Sequence, residues 1–195
     1  RCRLGEEAGD AGQVDAVSIY CPLDKTDPDR PVASDIILDH VSVSWGTDET
    51  LSVTGAVDKV TVQWSIVSEG LLPHSCGSLL RPSVRCHMTF HHNLYANNRG
   101  RNPRPGNYDV NPHDKDPEGF LLDFSNNVIY NWGGGKAGYN NDKRSITKLN
   151  YENNYLIPGE DSENNGIAYT TGSPFNKSYF AGNYYDGSCP EDQWS

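Results

Sequence analysis

A parallel β-helix, an all-β solenoid, is the fold this 195-residue sequence predicts, and three observations carry that expectation. First, His92-Asn93-Leu94-Tyr95, Asn126-Asn127-Val128-Ile129, Asn153-Asn154-Tyr155-Leu156 and Gly182-Asn183-Tyr184-Tyr185 repeat an asparagine ahead of two apolar residues, and Val41 and Ser65 hold the same place in two earlier copies. Second, these positions follow one another at 24, 28, 34, 27 and 29 residues, too irregular for a helical solenoid, in segments rich in the β-branched and aromatic residues that suit strands. Third, equivalent asparagines stacked in parallel coils can form a hydrogen-bonded ladder, as they do in cross-β assemblies. Asn93, Asn127, Asn154 and Asn183 are therefore read as structural.

Taken in order, residues 1 to 16 are rich in glycine and acid and lead into Val14-Asp15-Ala16-Val17-Ser18-Ile19, whose alternation suits a short strand. Residues 21 to 34 read as loop. Asp35 to Trp45 is a strand, followed by the acidic Gly46-Thr47-Asp48-Glu49, and residues 57 to 68 (VDKVTVQWSIVS) repeat the strand pattern. Residues 69 to 85, bearing glycine and proline, read as a loop returning the chain to Thr89. The strand Thr89 to Tyr95 ends at the first full asparagine copy. Its His91-His92 pair could suggest a metallonuclease ββα site, but it sits in a repeat whose other copies carry Ser-Asn or Glu-Asn, so it is assigned to the ladder and its packing.

Arg99, Arg101 and Arg104 crowd the segment that follows, TFHHNLYANNRGRNPRPG from Thr89 to Gly106. Pro103 and Pro105 fix φ and remove donors, which predicts a stiff extended arm aiming guanidinium groups outward to hold an anion. The bland alternative is solvated surface charge.

The length fits one domain over residues 1 to 195 with a real core. No run approaches the length needed to cross a bilayer, so the chain is expected to be soluble, with no membrane partner. A formal charge of −10 argues against nucleic acid, which needs a basic face. The same charge sits oddly beside an arginine-rich loop, and a bound cation would reconcile the two. Five cysteines (Cys2, Cys21, Cys76, Cys86, Cys189) lack CxxC spacing, so disulfides of an exported protein are favoured over zinc, with Cys76 and Cys86 close enough in sequence to close a loop. Asn176-Lys177-Ser178 is a glycosylation triplet. The chain opens at Arg1 in polar sequence without an initiating Met, and reads as a piece incomplete at the N-terminus.

Ile36-Ile37-Leu38-Asp39-His40, Ser44 to Glu49, the HHN strand, Arg101-Asn102-Pro103-Arg104 and Asn126 to Trp132 together resemble, in order, the pectate lyases of polysaccharide lyase family 1. The likeness extends from about residue 1 to residue 186. It implies a right-handed helix, calcium as cofactor, a secreted monomer, and β-elimination on de-esterified polygalacturonate. Position by position, it makes Arg101 the catalytic arginine and Arg104 a substrate-binding residue, with Asp15 and Asp48 as calcium ligands. Where relatives carry a second carboxylate this chain has Ser52, which leaves Glu49 as the substitute. A substrate-contacting lysine is also absent, with His74 the nearest cation to take its place.

Elimination removes the C5 proton of a galacturonate whose ionised carboxylate resists further negative charge, so neutralising that carboxylate is the main task. A calcium ion on hard oxygen ligands does this, and arginine adds a bidentate pair. A guanidinium is an unusual base, since it is normally charged, and Arg101 has a second role open to it, stabilising the enediolate-like intermediate. Two other functions fit less well. A pectin lyase acting on methyl-esterified chains would have little use for Asp15 and Asp48, and a non-catalytic carbohydrate-binding β-helix would not need Arg101 beside an acidic cluster.

Overall fold

A computed structural model describes residues 13–22, 32–83, 85–107, 118–162 and 166–193. Its 18 strands, labelled β1 to β18 in chain order, pair only in parallel across sheets, as a parallel β-helix requires. One sheet runs β1-β4-β7-β10, a second β2-β5-β8-β11-β14-β17 and a third β3-β6-β9-β12-β15-β18, with β13-β16 as a separate pair. Each coil thus contributes one strand to each face, and the expected solenoid is present.

The core follows from the register. Alternate residues of a strand face inward, and parallel pairing stacks like positions. In the second sheet Val62 (β5, Val57–Gln63), Phe90 (β8, His87–His91), Phe124 (β11, Phe120–Ser125), Tyr151 (β14, Thr147–Glu152) and Phe180 (β17, Lys177–Ala181) form one row. Phe124 and Tyr151 stack with ring centroids 5.4 Å apart and 11° between planes. In the third sheet Val67 (β6, Ile66–Ser68), Tyr95 (β9, Leu94–Ala96), Ile129 (β12, Val128–Tyr130) and Leu156 (β15, Tyr155–Ile157) make another, all of them buried.

The ladder lies where the second sheet turns into the third. Asn93 donates its backbone N–H to Asn127 Oδ1 (3.0 Å), Asn127 does the same to Asn154, and Asn154 to Asn183. Each Nδ2 also reaches a backbone carbonyl at 2.9 Å, Val62 O for Asn93 and Phe90 O for Asn127. Ser65 N–H donates to Asn93 Oδ1 and Val41 N–H to Ser65 Oγ, so both earlier copies stand in register. The residue before each rung, His40, Trp64, His92, Asn126, Asn153 or Gly182, takes a positive φ between 48° and 63°. That left-handed residue makes the corner.

The corner corrects the predicted strands. Asp35 to Trp45 is not one strand but β2 (Ala33–Asp39) and β3 (Ser42–Ser44), and residues 57 to 68 and 89 to 95 are likewise divided. His92 lies at the corner rather than in the ladder, stacked 4.3 Å from Trp64. Residues 69 to 85 are not simply loop, because β7 (Cys76–Pro82) runs through them beside β4 (Glu49–Gly55). The expected Cys76–Cys86 disulfide is absent, and no disulfide joins Cys21, Cys76, Cys86 and Cys189 to one another. The physical reason is β7 itself: seven extended residues place its ends about 20 Å apart, whereas a disulfide needs Cα atoms within about 7 Å. Cys2 lies outside the described residues. No helix among the described residues is long and apolar enough to cross a membrane.

Candidate active site

Asp15 immediately precedes the coil that carries β1 (Val17–Cys21), and Asp48 precedes β4, which pairs with β1. Thr47 and Asp48 both donate backbone N–H groups to Val14 O, and Glu49 N–H donates to Asp15 Oδ1 at 3.2 Å. The two coils are therefore stitched together at the acids. Alternation along an ideal strand would send Asp48 and Glu49 to opposite faces. Here Asp48 lies ahead of the strand, where the chain bends at Thr47 and Asp48, and any Cβ on residue 46 would collide with the Glu49 carbonyl. The result is a cluster in which Asp15, Asp48 and Glu49 offer carboxylate oxygens within 4.8 Å of one another.

Arg101 faces that cluster. Its Nη1 is in contact with Glu49 Oε1 and lies 3.6 Å from Asp48 Oδ1, while its Nε donates to Tyr139 Oη at 3.3 Å. The loop carrying it is clamped from both sides. Gly77 and Ser78 of β7 donate to the carbonyls of Gly100 and Arg101, Asn102 N–H donates to Ala137 O, and Tyr139 N–H to Pro103 O, both acceptor and donor belonging to β13 (Lys136–Asn140) on the far side. Arg101 itself has φ 58°. The outward-pointing arm expected from the prolines is thus a fixed bend, and the Arg101 and Arg104 side chains are only 16% and 20% exposed.

Arg104, in the short strand β10 (Arg104–Pro105), donates Nη2 to Asp142 Oδ1 at 3.3 Å. Asp142 also receives Arg81 at 3.6 Å, and the Arg104 guanidinium lies 5.5 Å from the centre of the Tyr139 ring. His74 does not stand apart as a substrate contact. Its Nδ1 is 2.6 Å from Asp48 Oδ1 and its Nε2 is 3.0 Å from Gln13 Nε2, so it borders the acids. Arg99 is exposed. The structure thus brings Asp15, Asp48, Glu49, His74 and Arg101 together, and sets Arg104 beside them across Tyr139.

Burial dominates the electrostatics. The Asp15 carboxyl is pushed above the usual carboxylate range first by desolvation and then by the negative Asp48, while nearby Ser52, Arg101 and Ser18 pull the other way. Ser52 Oγ, buried, completes no hydrogen bond of good geometry. Next to the cluster, the Cys76 thiol is pushed up to about 12 by burial and by Asp48. Tyr139, Lys136 and Asp142 were not singled out in the sequence. They reach the site because one coil returns the chain alongside Arg101 and Arg104 at a separation of 38 residues, a distance no local motif reveals.

No family model matches the chain. Curated relatives do. A probable pectate lyase C of Aspergillus terreus is 36% identical over 186 residues, 95% of this chain and 37% of that protein. One of Aspergillus flavus is 39% identical over 151 residues, 77% of this chain and 32% of the relative, and one of Emericella nidulans is 36% identical over 186 residues, 95% and 36%. The chain spans about a third of the length of these proteins. Identity at this level over 77% to 95% of the chain makes it a homologue of the probable pectate lyases C.

Proposed function

We propose that the cluster is the centre of a calcium-dependent pectate lyase that cleaves de-esterified polygalacturonate by β-elimination. The observation that carries the reading is the meeting of three carboxylates with one largely buried arginine, in a chain homologous to pectate lyases. The donor set fits the ion: hard carboxylate oxygens from three residues, one of them, Asp15, pushed toward its protonated form by desolvation and by the negative Asp48, which a bound cation would offset. Bound by Asp15, Asp48 and Glu49, calcium would supply positive charge toward a substrate carboxylate and so acidify the C5 proton.

The chain's own groups do the rest. Arg101, fixed at Nε by Tyr139, would take the C5 proton. The C5–H electron pair then forms the C4=C5 double bond, the C4–O bond breaks, and the departing oxygen acquires a proton. Arg104 would hold a neighbouring carboxylate while Asp142 keeps its guanidinium plane fixed. A second role for Arg101, stabilising negative charge that develops in the intermediate, is favoured by one observation, its pairing with Glu49. Because polymeric pectate is extracellular, this reading places the protein outside the cell.

The test is ultraviolet absorbance from the new double bond conjugated to the carboxylate. Activity on polygalacturonate is expected to stop in excess chelator and return with calcium, and Arg101→Ala is expected to retain less than about a tenth of turnover, or about 1.4 kcal/mol of barrier. More than that removes Arg101 from the base role. Undiminished activity in chelator, or a preference for highly methylated pectin, overturns the calcium mechanism in favour of a pectin lyase.

A further inference from the structure

Tyr139 has three cations around it, and they are not equivalent. Arg101 bonds its hydroxyl at 3.3 Å, Arg104 lies 5.5 Å from its ring centre, and Lys136 Nζ lies 4.9 Å from that centre. Arg101 is paired with Glu49, and Arg104 with Asp142. Lys136 has no carboxylate within ion-pair distance among the described residues. Its side chain is partly buried, not trailing in solvent, and it opens β13, whose Ala137 and Tyr139 backbones are hydrogen-bonded to the loop that carries Arg101. A side chain added at Gly100 would approach both the Lys136 carbonyl and the Tyr139 ring, which shows how closely the two segments pack.

Gathering three positive charges on one tyrosine is costly unless an anion joins them. Two already have one. In a chain of net charge −10, an ammonium held over an aromatic face beside two arginines and left with unused donors is a built anion contact. We propose that Lys136 is a substrate-binding residue which takes a carboxylate of a sugar next to the one undergoing elimination, with Tyr139 as the shared platform. This rests on the pectate lyase reading, since it names the ligand as an unesterified uronate chain. It adds a contact that selects for free carboxylates on either side of the scissile bond.

The experiment measures both equilibrium binding of a short unesterified oligogalacturonate and steady-state elimination of polygalacturonate, with calcium present, in wild type, Lys136→Met, Lys136→Gln and Lys136→Arg. Methionine keeps the apolar stem over Tyr139 and glutamine keeps polarity, so the pair guards against one of them failing to fold. We expect Kd and KM to rise about fivefold in the Met and Gln variants, kcat to stay within about twofold, and Lys136→Arg to lie near wild type. The wild-type advantage should shrink as salt is added. Unchanged Kd and KM in folded Met and Gln variants overturn the inference, as does a loss confined to kcat, which would make Lys136 a positioning residue for Arg101. A wild type that binds without eliminating removes the lyase reading but leaves the Kd comparison to decide Lys136. One that does neither overturns both.

Discussion

Asp15 shows what the site costs the fold. Its carboxyl titrates above the ordinary range, chiefly because it is desolvated and secondarily because Asp48 is negative. A group with a raised folded pKa contributes stability below its unfolded value and loses it as pH rises through the folded one. In chelator, the wild-type protein should therefore lose stability from this residue as pH rises above the ordinary carboxylate range, and Asp15→Asn should gain on wild type over that rise. Thermal melting of both proteins at about pH 4 and pH 7 checks this; a wild-type advantage at the higher pH in chelator sinks it. Calcium should reverse the order, since the cation rewards the charge that Asn lacks. Sequence was informative at this scale only where chemistry is local. Asp48, Glu49 and the arginine loop stand out by composition, whereas Tyr139, Asp142 and Lys136 look like ordinary surface residues until β13 is placed beside the loop. The Glu49 geometry also depends on a bend, and on a glycine whose need becomes plain only when the Glu49 carbonyl is seen against it.

The elements are held in register by their turns. Asn127 is 1% exposed and joins three neighbours, accepting from Asn93 and donating to Asn154 Oδ1 and Phe90 O. Asn127→Leu leaves those backbone groups unpaired in a dry turn and is expected to lower stability by about 1 to 3 kcal/mol, with activity per folded molecule nearly unchanged. Denaturant unfolding measures it. A loss well below that range would mean the ladder is ornament. The end of the ladder has its own device: Asn183 N–H donates to Gln193 Oε1 at 2.9 Å, and Gln193 Nε2 returns to Asn183 O at 3.2 Å. A glutamine from a non-repeating segment thus occupies the place of the next rung. Gln193→Ala should cost less than the Asn127 change, because that end is partly wet. The rungs were readable from the sequence since asparagine recurs at one point of every late coil. The corners were not, because His, Trp and Asn in left-handed conformation leave no common letter. β7 escaped because Gly77 and Pro82 give it the look of a turn, while its pairing with β4 makes it a strand.

At the scale of the whole molecule, a solenoid is stabilised almost entirely between neighbouring coils, so stability should vary along its axis. The buried rows support this directly. Val60, Val62, Met88, Phe90, Leu122 and Phe124 of β5, β8 and β11 are all at 2% exposure or less. At the two ends of the second sheet the same inward rows are only half-buried, at Ile36 and Leu38 of β2 and at Phe180 of β17. Strands β16 (Ile167–Thr171) and β18 (Tyr184–Tyr185) contain no buried residue. A central coil is covered on both sides; a terminal one is covered on one side, and its opening exposes half as much new apolar surface. Amide hydrogen exchange under native conditions should accordingly find the slowest amides in β5, β8 and β11, with protection falling toward β2–β3 and toward β16–β18 in graded steps. Because Asp48, Glu49 and Arg101 are borne by the protected middle coils, exchange near Arg101 should respond little to events at either end, and calcium should slow it further by tying the coils of Asp15 and Asp48 together. Uniform protection from β2 to β18 would mean a single cooperative unit and would contradict the graded coupling argued here. A calcium effect confined to β16–β18 would move the ion away from the carboxylate cluster.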